Sequence, residues 1–176
     1  MHTDVKTRDI VTTAVFAALI CAAAPFSVPV GPVPVSLATL MIYIASGVLG
    51  RTRASVAVLV YIALGAIGLP VFSGFSGGIS KIFGVTGGYI IGYLPLAFIS
   101  GAFSGFSGRR AWLYPAGMVL GTLALYALGT AWFMFQTGNP LLGALGMCVL
   151  PFLPGDAGKI AIAALVSPAV RRRVGR

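Results

Sequence analysis

The chain has no glutamate and only three aspartates, Asp4, Asp9 and Asp156, in 176 residues. It has one histidine, His2, and two cysteines, Cys21 and Cys148. General acid–base and metal-dependent chemistry needs carboxylates, imidazoles or thiolates brought together, so this poverty excludes most of it. Cys21 and Cys148 have no CxxC partner and no neighbouring histidine, and are expected to be buried apolar fillers rather than a disulfide or a metal pair. There is no GxxxxGK[ST] string, so the chain does not hydrolyse ATP by itself. Charged residues make up only 9% and hydrophobic ones 58%, against about a quarter charged in a soluble domain. A net charge of +9 would raise nucleic-acid binding, but it comes from just twelve Lys and Arg in small clusters. What is present is too apolar to cover itself in water: the chain reads as an integral membrane protein in one domain, 1–176, with no linker and no nucleic-acid partner.

A helix needs about 20 apolar residues to cross the roughly 30 Å hydrocarbon core. Six segments are predicted to do so: about 8–24, 35–49, 54–69, 87–105, 112–135 and 147–170. The second is short. The connections are brief, so neighbouring helices are expected to run antiparallel in one all-α bundle. Lys6 and Arg8, Arg51 and Arg53, Arg109 and Arg110, and Arg171, Arg172, Arg173 and Arg176 then fall on one side, ten of the twelve basic residues. Lys and Arg in short loops mark the cytoplasmic side, which puts both termini inside. A cleaved signal peptide is the rival reading of the first span, with Ala22-x-Ala24 as the cleavage site.

The loops of the opposite side, about 25–34, 70–86 and 136–146, contain one charge, Lys81. The first has prolines at 25, 29, 32 and 34, and is expected to be extended and stiff because proline fixes φ and cannot donate. The second is rich in Gly and Ser yet keeps apolar anchors. Non-helical backbone at membrane depth is tolerated where it is buried or lines a cavity, so these loops read as a lid over a pocket. The small-xxx-small pairs Gly84/Gly88, Gly88/Gly92, Gly101/Gly105 and Gly117/Gly121 are read as helix-packing positions.

Pro154-Gly155-Asp156-Ala157-Gly158-Lys159 carries the only acid and base predicted inside the spans. At i, i+3 they share a helix face. A charge at the centre of a membrane costs about 2.5–3.5 kcal/mol on insertion scales and faces the bundle interior or a cavity. One reading is a self-satisfied pair that locks two helices. The other is a site for a guest with both N–H and C=O groups, since Asp accepts and Lys donates. Lys81 could meet a ligand carboxylate or face solvent and headgroups.

Four ordered motifs resemble the BioY family, the biotin-specific substrate-binding (S) components of energy-coupling-factor (ECF) vitamin transporters. They are Gly31-Pro32-Val33-Pro34-Val35-Ser36-Leu37, the stretch Gly68-Leu69-Pro70-Val71-Phe72-Ser73-Gly74-Phe75-Ser76-Gly77-Gly78, Thr86-Gly87-Gly88-Tyr89-Ile90-Ile91-Gly92, and the Asp156/Lys159 motif. The resemblance spans about 8–170. It implies a six-helix S-component bundle in the bacterial cytoplasmic membrane that binds biotin near the outer face. It places Asp156 and Lys159 on biotin, with Phe72, Phe75, Gly78 and Tyr89 as further contacts, and needs no cofactor. It also implies a transmembrane coupling subunit and two ATPase subunits as partners, with Ala14, Ala18 and Ala22 on the first helix docking the coupling subunit; ordinary helix packing is the alternative for that stripe. The start of the second helix, Ser36-Leu37-Ala38-Thr39, is less polar than the family pattern, and Val85 stands where proline is more common. Neither departure is expected to touch the Asp156/Lys159 pair. Another vitamin as cargo, or a carrier working without ATPase partners, stays open beside biotin uptake.

Overall fold

The computed structural model describes residues 7–105 and 112–174. Of the expected side markers, Lys6, Arg109, Arg110 and Arg176 lie outside the described residues. Seven helices and one small hairpin follow in the order α1 (Thr7–Ala23), β1 (Ser27–Val28), β2 (Val35–Ser36), α2 (Ala38–Ala66), α3 (Ile79–Phe83), α4 (Gly87–Ser104), α5 (Leu113–Thr137), α6 (Leu141–Cys148) and α7 (Leu153–Val174). Four of them, α2, α4, α5 and α7, are long and apolar enough to cross a membrane.

Several predicted boundaries move, each for a local reason. The expected second span begins at Ala38, not at 35, because Val35 and Ser36 pair with Val28 and Ser27 in an antiparallel hairpin. Pro29, Pro32 and Pro34 fall in the connecting turn, where a missing N–H breaks no ladder bond. The last span begins at Leu153 rather than 147, since 141–148 forms the separate helix α6 and Pro151 stands between the two. The 70–86 loop contains the short helix α3, tied to α5 where Trp132 Nε1 donates to the Gly84 carbonyl at 2.9 Å.

The predicted second and third spans are two helical arms, numbered together as α2, that meet at a non-helical Gly50. Gly50 adopts φ 75°, ψ 178°, a region essentially reserved for glycine. Just beyond the break, Arg53 pairs with Asp9 at the start of α1, at 2.5 Å. Just before α2, Ser36 Oγ donates to the carbonyl of Ala24 at the end of α1, at 2.7 Å. The far end of α2 is held at that same end, where Gly65 accepts from Gly78, and Gly74 of the same loop donates to Pro25. The two arms of α2 therefore run antiparallel.

The long helical stretches thus share two ends. One carries Arg8, Arg51, Arg53 and Arg171 around a common cavity. The other carries the hairpin, the 70–86 loop and the start of α7. Between them, glycines let α4 and α5 meet closely. A Cβ on Gly88 would lie 2.2 Å from Trp132 Cβ, and one on Gly92 2.7 Å from Leu125. From the facing side, a Cβ on Gly117 would lie 2.4 Å from Phe103, and one on Gly121 2.8 Å from Ser100. These four behave as the packing positions the spacing predicted. Gly101 serves a different contact, facing the Arg51 backbone at the α2 break, and Gly105 lies at the open end of α4.

The outward surface is apolar, with Ile10, Val15, Leu59, Leu123 and Leu165 all exposed, as lipid contact requires. Cys148 is fully buried as expected, while Cys21 is only half-buried.

Overpacking by added methyl groups costs about 1–3 kcal/mol. Gly88→Val should therefore lower the melting temperature in detergent by several degrees. Gly146→Ala, with nothing within 4 Å of its added Cβ, should leave it unchanged.

Candidate functional site

Asp156 sits in the first turn of α7 and Lys159 one turn further on, and both face inward with 5% and 8% exposure. α7 buries only a thin stripe, Asp156, Lys159, Ala163 and Ser167, so the polar pair lies on its one protected face. The position near a helix N-terminus favours a carboxylate.

The pair is held by groups from three other elements. Lys159 Nζ donates to Asp156 Oδ1 at 3.0 Å, to Thr39 Oγ1 of α2 at 2.9 Å and to the Ser36 carbonyl of β2 at 2.8 Å. All three ammonium donors are used. Tyr126 of α5 donates to Asp156 Oδ2 at 2.6 Å, and the Thr39 hydroxyl reaches Oδ1 at 3.4 Å. With three of about four acceptor sites taken, the carboxylate keeps one, on Oδ2, for a further donor. Ser36 is itself pinned, since its Oγ accepts the Ala38 N–H at 3.0 Å and donates to Ala24. That aims its carbonyl at the ammonium.

A narrow cleft of about 30 Å³ opens against the pair, lined also by Thr39, Tyr126 and Phe152, with room for about two waters. A larger cavity of about 230 Å³ adjoins it and shares the walls Val33, Pro34, Tyr89 and Tyr93. Lys81 and Phe72 line this second lobe. The structure thus places a buried acid–base pair in one lobe and a lysine in the other, with tyrosines between them and the hairpin as their common wall. Among the described residues no three His, Cys, Asp or Glu side chains converge as metal ligands would.

The expected site residues separate. Asp156, Lys159, Lys81, Phe72 and Tyr89 border the two lobes. Tyr89 donates to the Cys148 carbonyl at 3.1 Å, and Phe72 packs edge-on against Tyr61 at 5.5 Å. Phe75 is 62% exposed, packs against Phe26 at 5.6 Å, and lines neither lobe but a separate groove along the hairpin that Lys159 also borders. Gly78 lines neither lobe. Its φ of +96° and its bond to the Gly65 carbonyl at 2.7 Å set the turn into α3. Ala14, Ala18 and Ala22 are all exposed on one side of α1, opposite the buried Thr13, Phe16, Ala17 and Ile20.

Comparison with known proteins agrees with this arrangement. The model of the BioY family matches residues 1–176. This chain belongs to the BioY family. A biotin transporter BioY of Thermotoga maritima is 36% identical over 160 residues, covering 91% of this chain and 94% of that protein. A biotin transporter BioY of Rhizobium etli is 37% identical over 176 residues, with 94% of each covered. Among solved structures, the crystal structure at 2.1 Å of the S-component for biotin from an ECF-type ABC transporter superposes with a TM-score of 0.88. It shares 29% identity, over 98% of this chain and 95% of that one.

For a BioY chain, the second-helix start corrects the sequence reading. Ser36 and Thr39 belong to the stretch that departs from the family pattern, and they contact Lys159 directly rather than standing apart from it. Tyr126 was missed as well. Its signal was present: Thr122, Tyr126 and Thr130 recur every four residues on one buried face of an otherwise apolar helix, a polar stripe turned inward. The Ser36 contact is a backbone carbonyl, which no side-chain motif announces.

Removing one partner from a buried hydrogen bond leaves the other unsatisfied, at about 1–3 kcal/mol. Tyr126→Phe should lower stability by that amount. The double variant with Asp156→Asn should lose less than the two single losses added together, as thermal melts would show.

Proposed function

We propose that this chain is the biotin-binding S component of an energy-coupling-factor transporter, taking up biotin with high affinity across a bacterial cytoplasmic membrane. The buried Asp156–Lys159 pair bordering a two-lobed cavity carries this reading. Biotin has a ureido ring with two N–H donors and one C=O acceptor at one end, and a carboxylate on a flexible chain at the other. Asp156 would accept from one ureido N–H through its spare lone pair, and Lys159 would donate to the ureido oxygen. Tyr89 and Tyr93 would flank the fused ring, Phe72 the chain, and Lys81 the carboxylate. The similarity to biotin transporters of Thermotoga maritima and Rhizobium etli and to a solved S-component for biotin supports the cargo.

Six spans follow from counting α1, the two arms of α2, α4, α5 and α7, with the arginine end cytoplasmic and both termini inside. The lobes then lie on the outer side. All three Lys159 donors are occupied in this structure, so a ureido oxygen must displace the Ser36 carbonyl or the Thr39 hydroxyl. Displacing the Ser36 carbonyl would move the hairpin that carries it, whereas displacing Thr39 would need only a turn of its side chain.

The chain works as a binding subunit and not as an enzyme. ATP hydrolysis is the task of two separate ATPase subunits, joined through a transmembrane coupling subunit that docks on the Ala14, Ala18 and Ala22 face. That face is flat and open to close helix approach.

Calorimetry on purified chain should show saturable biotin binding, and Asp156→Asn or Lys159→Ala should weaken it at least tenfold in protein that stays folded. Normal binding by both variants would place the site elsewhere. Tight binding of another vitamin with none of biotin would replace the cargo. Lys81→Gln should weaken biotin several-fold while leaving biotin methyl ester, which lacks the carboxylate, unaffected.

A further inference from the structure

The arginine end of the bundle encloses a cavity of about 750 Å³ between the start of α1, the Gly50 break of α2, the end of α4 and the end of α7. Among the described residues, four arginines line it, Arg8, Arg51, Arg53 and Arg171, and one acid, Asp9. Asp9 is already paired with Arg53, so the described lining carries three more positive charges than negative ones. The arginines are oriented. Arg53 Nε donates to the Leu49 carbonyl at 3.1 Å, Arg171 donates to the Ser104 carbonyl at 3.0 Å, and Arg51 lies over the Phe98 ring at 5.7 Å. Each keeps most of its five N–H donors unspent.

A second space of about 400 Å³ adjoins the first through Ser104, Gly105 and Arg171, and adds Arg172, Tyr114 and Ser167. Ser167 is 2% exposed, and its hydroxyl has no hydrogen-bond partner among the described residues. Buried hydroxyls are normally satisfied, and this one borders a cavity that Ser104, Tyr114, Arg171 and Arg172 also line.

We propose that this end of the molecule binds the phosphate group of an anionic phospholipid. Arg51 and Arg171 grip the phosphate oxygens, Arg8 adds charge, and the Ser167 hydroxyl serves a further headgroup oxygen. The guanidinium fork matches phosphate oxygens pairwise. Position selects a lipid as the source: the cavity lies at the ends of α4 and α7, helices long and apolar enough to cross a membrane, and basic pockets between membrane helices take up anionic lipid headgroups. Its walls also include Val48, Leu49, Ala102 and Val174, which suit the glycerol ester and the first methylenes below a phosphate and have no use for a free ion. The site lies at the opposite end from Asp156 and Lys159 and is independent of what binds there.

The test is native mass spectrometry of the full chain in detergent, titrated with short-chain phosphatidylglycerol, short-chain phosphatidylcholine and inorganic phosphate. One phosphatidylglycerol per chain should bind saturably, at least tenfold more tightly than phosphatidylcholine. Arg51→Gln combined with Arg171→Gln should weaken it at least tenfold, while Arg173→Gln, a residue that lines neither space, should leave it within twofold. A thermal melt checks that the variants fold. If the double variant does not, Ser167→Ala replaces it and should weaken binding at least threefold. Non-saturating uptake, equal binding of the two lipids, or equal loss in Arg173→Gln would overturn the proposal. Displacement of the lipid by inorganic phosphate at equal concentration would make this a free-phosphate site and overturn the lipid assignment.

Discussion

The ammonium of Lys159 is the point on which this structure turns. It is a full charge held at 8% exposure in a bundle whose outer surface is apolar, and it is tolerable only because an acceptor meets each of its three donors. Those acceptors come from the first turn of α7, the first turn of α2 and the second strand of the hairpin. The charge therefore ties α7, α2 and the hairpin together at this end of the bundle. α7 buries few side chains, so its registration against the bundle depends heavily on this one cluster. The two readings of the Asp–Lys pair, a lock and a ligand site, describe the same atoms: what locks the hairpin is what a ligand has to compete with.

Much of the fold was legible because membranes impose simple rules. Scarcity of charge announced the bilayer, and apolar length located most helices to within a few residues. The errors cluster where a residue's local conformation overrides apolar character. Val35 and Ser36 are apolar enough to prolong a helix, but the preceding prolines turn the chain back and give them Ser27 and Val28 as strand partners. Residues 141–148 read as a lead-in to the last span, and Pro151 separates them from it. Gly50 was taken as part of a loop, whereas its positive φ lets two arms meet with no connecting residues beyond itself.

The site was legible in its charges and not in its scaffold. Asp156 and Lys159 stood out because no other carboxylate or ammonium lies away from the ends of the predicted spans. Thr39, Tyr126 and the Ser36 carbonyl are ordinary groups whose importance comes from where the fold puts them, and Thr39 lies 117 residues from Asp156 in the chain. Phe75 and Gly78 sat within a motif that also supplies Phe72. A loop that curls back on itself points neighbouring residues to opposite sides, and adjacency in sequence could not tell which of them faced inward.

The proline content of the hairpin has a kinetic consequence. A flexible flap must surrender the conformational freedom of every residue each time it closes over a guest, and that loss weakens the closed state. Residues 25–36 have already lost most of that freedom through four prolines and a short strand pairing, so the segment moves as a stiff paddle. A few discrete contacts hold it: the Ser36 carbonyl on Lys159, the Ser36 hydroxyl on Ala24 and the Gly74 N–H on Pro25. On the proposed function, the residence time of a bound molecule would be set by how fast those contacts break rather than by the disorder of a loop.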